Sequence, residues 1–194
     1  QTATTNEQGF FALVEVTSGA PVLSFELAGY AENMRAISVT DGQNSQVAVS
    51  LQAVGAEQQV DATQPAVVAH RGGSVELPAN SIVDANGQPV ASAVVGVTTL
   101  IPGDANFVEA FPGEFIGTDS GGTGPLVSLG IVDVTLRDSS GGELQLASGQ
   151  TATVEFPIPP APYDTGDPTV PLWYLDSATA LWVQEGVATR DAGD

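Results

Sequence analysis

The apolar residues of this chain alternate with a period of two almost from end to end. Leu23, Phe25 and Leu27 share one face of 22–27, while Ser24 and Glu26 take the other. Val47, Val49 and Leu51 repeat the pattern, as do Val132, Val134 and Leu136, and then Ala152, Val154, Phe156 and Ile158. A two-residue period puts one face in a core and the other in water, which marks half-buried antiparallel strands. No segment carries an apolar stripe at i, i+3, i+4 and i+7 over three turns, and the Val- and Thr-rich run 91–101 reads as a well-buried strand. The expectation is an all-β protein.

Turn chemistry agrees. Asp41-Gly42, Asp84-Ala85-Asn86-Gly87 and Asp138-Ser139-Ser140-Gly141-Gly142 supply positive φ and side-chain acceptors for tight turns. The proline-dense stretch 157–171 is excluded from a central strand and reads as an extended surface connection. Leu172-Trp173-Tyr174-Leu175 and Leu181-Trp182-Val183-Gln184 flank a short polar turn and read as a hairpin. The run Ser120-Gly121-Gly122-Thr123-Gly124 lacks the Lys and following helix of a phosphate loop, and reads as a flexible loop.

Charge narrows the function. The chain holds 23 Asp and Glu against 4 Arg and no Lys, a formal balance of −19 over 194 residues. That excludes nucleic acid as a partner, because neutralising phosphates takes clustered cations, and it disfavours anionic membrane surfaces. No apolar run reaches the ~18 residues of a membrane-spanning helix, so membrane insertion is not expected. With no Cys, disulfides, thiolate catalysis and Cys-ligated zinc are out. An acidic, Lys-free surface suits a secreted or cell-surface protein in saline water. The chain opens on Gln1 rather than Met, which fits a trimmed product or part of a longer protein.

Two blocks are expected. Residues 1–55 carry strand candidates at 10–16, 22–27, 34–39 and 46–52, too few to close a sandwich, which takes roughly seven strands and about 100 residues. A polar linker follows over 56–66. Residues 67–190 are long enough for their own core. The architecture predicted is tandem β-sandwiches, the first an incomplete immunoglobulin- or transthyretin-like unit.

The first block resembles the carboxypeptidase regulatory-like domain, a small transthyretin-like sandwich. The carrying residues are Thr5-Asn6-Glu7-Gln8-Gly9-Phe10, Val16 to Gly19, Ala28-Gly29-Tyr30 and Val47 to Leu51. The resemblance makes Gly9 and Phe10 a turn entering a strand, and Gly29 and Tyr30 the close of the next. It enters the domain part-way, without the leading strand. The second block is similar to the extracellular region of cartilage intermediate layer and FAM171-type proteins. This rests on Gly72 to Pro78, Phe111-Pro112-Gly113, Ser128 to Ile131, and the hairpin bearing Trp173 and Trp182. The Gly-Gly and Leu-Pro stretch also resembles ZU5 sandwiches. These resemblances imply an extracellular module without catalytic activity. Self-cleavage at a His-Phe-Ser site is not expected, because the single histidine, His70, is followed by Arg71.

Chemistry-bearing residues are few. With one His and no Cys or Lys, a general base reduces to His70 or a carboxylate. Ser74 lies near His70 in sequence, but no strand–nucleophile–helix elbow surrounds it. No catalytic residue is assigned, and the chain is not expected to be an enzyme. Asp84 and Asn86 offer alternate oxygens and a turn glycine, the start of a calcium loop, though the Glu that completes such a loop is missing. Asp164 to Asp167 and Asp191 to Asp194 are similar acidic turns. Turn preference is the first reading of all three, and a calcium site shared between carboxylates of the two blocks is the alternative. Trp173 and Trp182 either fill the end of a sandwich or stack on a sugar; the core reading leads and puts Tyr174 outside.

The function expected is a structural or adhesive module of a surface or fibre-forming protein. Its partners are neighbouring domains of a longer chain, or copies of itself joined by strand exchange. The alternative is a calcium- or carbohydrate-binding accessory module of a secreted enzyme.

Overall fold

A computed structural model of the chain describes residues 1–159 and 166–191. The opening segment forms one short antiparallel pair, β1 (Val22–Phe25) with β2 (Asn33–Ala36), in the register Val22↔Ala36 and Phe25↔Asn33. The strands expected at 10–16 and 46–52 do not form. Phe11 packs edge-on against Phe25 with ring centroids 5.7 Å apart. Residues 46–54 make isolated bonds instead of a ladder: Ala31 N–H to Gln52 O at 2.8 Å and Val54 N–H to Gly29 O at 2.9 Å.

The main body is all-β and starts earlier than expected. β3 (Ala56–Asp61) occupies what reads as linker in the sequence, pairing antiparallel with β7 (Ser92–Leu100). Its polar appearance has a simple cause: β3 is an edge strand with only Val60 buried. β7 is the centre of this sheet, with β10 (Ile131–Arg137) on its other side. A second sheet centres on β5 (Gly73–Leu77), between β4 (Ala66–His70) and β12 (Thr153–Glu155). Val60, Val68, Val75, Leu77, Ala93, Val95 and Val97 interdigitate between the two sheets, joined by Ile82 of the short β6 (Ile82–Val83), which pairs with β11 (Gln145–Leu146). Burying each of the Val, Leu and Ile side chains fully contributes about 1.5–3 kcal/mol, and Ala93 less.

Beyond the end of β7 lies an aromatic core. A single helical turn, α1 (Phe107–Ala110), and the segment behind it deliver Phe107 and Phe111. Phe111 stacks on Phe115 at 3.9 Å and meets Trp182 at 5.4 Å. The roof is a four-stranded sheet, β13 (Thr169–Asp176), β14 (Leu181–Thr189), β8 (Ile116–Asp119) and β9 (Gly122–Pro125), in that order. Two expectations are corrected here. The Gly-rich run is not a free loop but the turn and return strand of the β8–β9 hairpin. β14 meets β8 in parallel, Trp182 opposite Gly117, so the protein is not wholly antiparallel.

Candidate functional site

Of residues 1–55 only Asn33 is buried, at 1% exposure, and no apolar side chain among them is. It holds this segment to the main body. Its amide donates to Ala110 O at 3.1 Å and to Ser50 O at 3.2 Å, while its Oδ1 accepts from Arg35. The carbonyls at the end of α1 have no partner within so short a helix, and donors from the first segment supply them. Arg35 Nη2 reaches Glu109 O at 3.3 Å, and Ser50 N–H reaches the same oxygen at 3.2 Å. Gly113 N–H donates back to Met34 O at 2.9 Å. Burial pulls the Arg35 guanidinium pKa down, opposed by the charge of Glu114.

Beside this junction runs a groove of about 860 Å³. Met34 of β2, Ile131 of β10, Val154 and Phe156 around β12, and Leu172 of β13 give it an apolar lining. Glu32, Asp133 and Glu185 also line it, whereas no cationic side chain does so among the described residues. In β10, Val132, Val134 and Leu136 pack toward the inter-sheet core, which leaves Asp133 on the opposite face. Burial pushes the Asp133 carboxyl above the usual range, the negative charge of Glu32 adds to this, and Arg137 opposes it.

The calcium-loop candidate is a closed five-residue turn. Asp84 Oδ1 accepts from the backbone N–H of Asn86 and of Gln88, each at 2.8 Å, and these bonds hold its carboxyl below the usual range. The same five-residue closure recurs at Asn6–Phe10 and at Asp138–Gly142, each with its fourth residue, a glycine, at positive φ. Asp84 and Asn86 therefore sit in a repeated turn design, in which the Asp or Asn oxygen substitutes for a backbone acceptor. Among the described residues, no three His, Asp or Glu converge as a metal cage. Of the other two acidic turns, Asp164 and Asp194 lie outside the described residues.

His70 accepts Thr99 N–H on Nδ1 at 3.2 Å, and Thr99 Oγ1 donates to His70 O at 2.6 Å. The Arg71 turn is tied to Asp104 by two bonds of 2.8 and 2.7 Å. Of the hairpin aromatics, Trp182 is 8% exposed and donates Nε1–H to Pro112 O at 3.1 Å. Trp173 is half-buried and lies over Gly117, where a Cβ would come within 2.6 Å of its ring. Tyr174 faces outward. Gly9 and Gly29 are at positive φ; Phe10 is 73% exposed, and Tyr30 bridges to Ala53. The sequence reading missed Asn33 and Asp133. Neither carries a signal: Asn33 has none in its neighbours, and an Asp between Val132 and Val134 reads as the ordinary solvent face of a half-buried strand.

Comparison with protein-family models, curated proteins and solved structures finds no match to the chain.

Proposed function

We propose that the chain is a non-catalytic structural or adhesive module of a secreted or cell-surface protein. It works by assembly, with a strand from a neighbouring part of a longer chain or from another copy completing residues 1–55. The observation that carries this reading is the absence of any buried apolar side chain in that segment. Leu23, Phe25, Val47, Val49 and Leu51 are all half-buried there, and Leu27, Phe10 and Val14 are exposed. The pair β1–β2 stands as a two-stranded sheet, and such a pair is marginal without further strands or a packing partner. The outer edge of β1 is a template for another strand, whereas on the outer edge of β2 Met34 O is already taken by Gly113 N–H. The −19 charge supports a saline extracellular setting, and no helix among the described residues is long and apolar enough to cross a membrane.

Amide exchange tests this directly. Over 22–27 and 46–52 the reading expects fast exchange in dilute protein and slowing as concentration rises. Full protection in a dilute monomer would mean that the segment closes by itself, and would end the proposal.

A further inference from the structure

We propose that the free edge of β10 is a docking site for an extended peptide of another protein, one in which apolar residues alternate with Lys or Arg. The docking edge is that of β10 and not the outer edge of β1, although Glu32 and Met34 of the first segment line the same groove.

The backbone supplies the first half of the argument. β10 ends its sheet, bonded along its length to β7, and its outer side is taken only at its C-terminal end, where Arg137 bridges to Glu143. Leu144 N–H donates to Leu136 O from the other side, which fixes the direction in which Leu136 points. Residues two apart in a strand point their N–H and C=O the same way, so Val132 and Val134 also point away from β7. Neither has a hydrogen-bond partner there among the described residues. These donors and acceptors open at the groove, whose volume of about 860 Å³ falls within the roughly 300–1,000 Å³ of ligand-binding sites.

The side chains supply the occupant. A strand added to β10 continues the sheet, so its residues alternate between the two faces. On one face they meet Val154 and Phe156 across the mouth of the sandwich; on the other, Asp133 and Glu32. Asp133 is held desolvated beside the like charge of Glu32, an arrangement that an incoming cation relieves. A second copy of this chain does not fit. Its four cations are Arg35, Arg71, Arg137 and Arg190, too far apart for any strand of it to offer two.

The test uses the whole chain and the peptide acetyl-Val-Lys-Val-Lys-Val-Lys amide, with binding followed by calorimetry. The expectation is saturable one-to-one binding. It should weaken at least about tenfold in a Glu32→Gln, Asp133→Asn double variant, and likewise in Val134→Pro, which removes an outward N–H from an edge strand while sparing the bonds to β7. A peptide with alternate N-methylated amides makes the same cut from the ligand's side and does not depend on the variant folding. The proposal is overturned by no binding at millimolar peptide, or by equal binding of the Val-Glu counterpart. It is overturned equally if Gly-Lys peptides bind as well, which is generic attraction to an acidic protein. Self-association that the double variant abolishes would make a second copy the occupant, and would also overturn it.

Discussion

Replacing Asn33 by Ala should loosen the contact between residues 1–55 and the main body. The side chain gives its two amide hydrogens to Ala110 O and Ser50 O, and it accepts one from Arg35. Arg35 keeps Met34 O at 2.8 Å after the change, so its loss is small. Ala110 is buried, and its carbonyl would be left without a donor in a dry place. An orphaned buried acceptor costs about 1–3 kcal/mol. Ser50 is only half-buried and its oxygen recovers part of its loss from water. The sum is about 2–4 kcal/mol, which for a chain of this size lowers Tm by roughly 4–16 °C. Asn33→Asp keeps the shape but loses both donors and aims a charge at two carbonyls, so it should cost at least as much. Hydrogen exchange locates the effect: the amides of Ser50 and Gly113, which bond across the junction, should speed up while those of β5 and β7 hold. A Tm within about 1 °C of wild type, or acceleration spread evenly through the sandwich, would refute the clamp.

Three further outcomes are expected. Because the native Asp133 carboxyl is raised by burial, the folded state keeps a proton that the unfolded chain has lost above about pH 3.9. Asp133 thus withdraws stability as pH rises from there through its native value, and the Tm gain of Asp133→Asn over wild type should widen from about pH 4 to 7; a constant gap would contradict this. Gly113→Ala meets a φ of +69° and a Cβ 2.7 Å from both Ala180 O and Leu175 Cδ1, so strain and overpacking should cost about 2–5 kcal/mol in thermal melts; a variant as stable as wild type would refute the packing described. At −19 the folded chain repels itself, so Tm should climb as salt shortens the range of that repulsion, and a flat curve from low salt to about 0.5 M would show the carboxylates to be harmlessly spread.

The sequence reveals the strands that bury a full face. β7 and β10 are legible because Val95, Val97, Val132 and Val134 have no other way to reach a core. The β13–β14 hairpin is legible from its two aromatic arms around a polar turn. Residues 46–52 mislead because their alternation is real, and 10–16 because their run is apolar, while no strand runs beside either in register. β3 and β8 are hidden for opposite reasons. Edge position lets β3 be Glu- and Gln-rich, and the ring of Trp173 demands a glycine at 117 in β8. The junction was illegible because its bonds run between Asn33 and carbonyls near residues 50 and 110, and backbone acceptors carry no sequence signature.

Sedimentation velocity of residues 1–194 over a wide concentration range tests the central claim, that residues 1–55 await a strand from outside themselves. The account predicts a mass that grows with concentration beyond 19.7 kDa. A single sharp 19.7 kDa species at every concentration, with β1 and β2 protected from exchange, would contradict it.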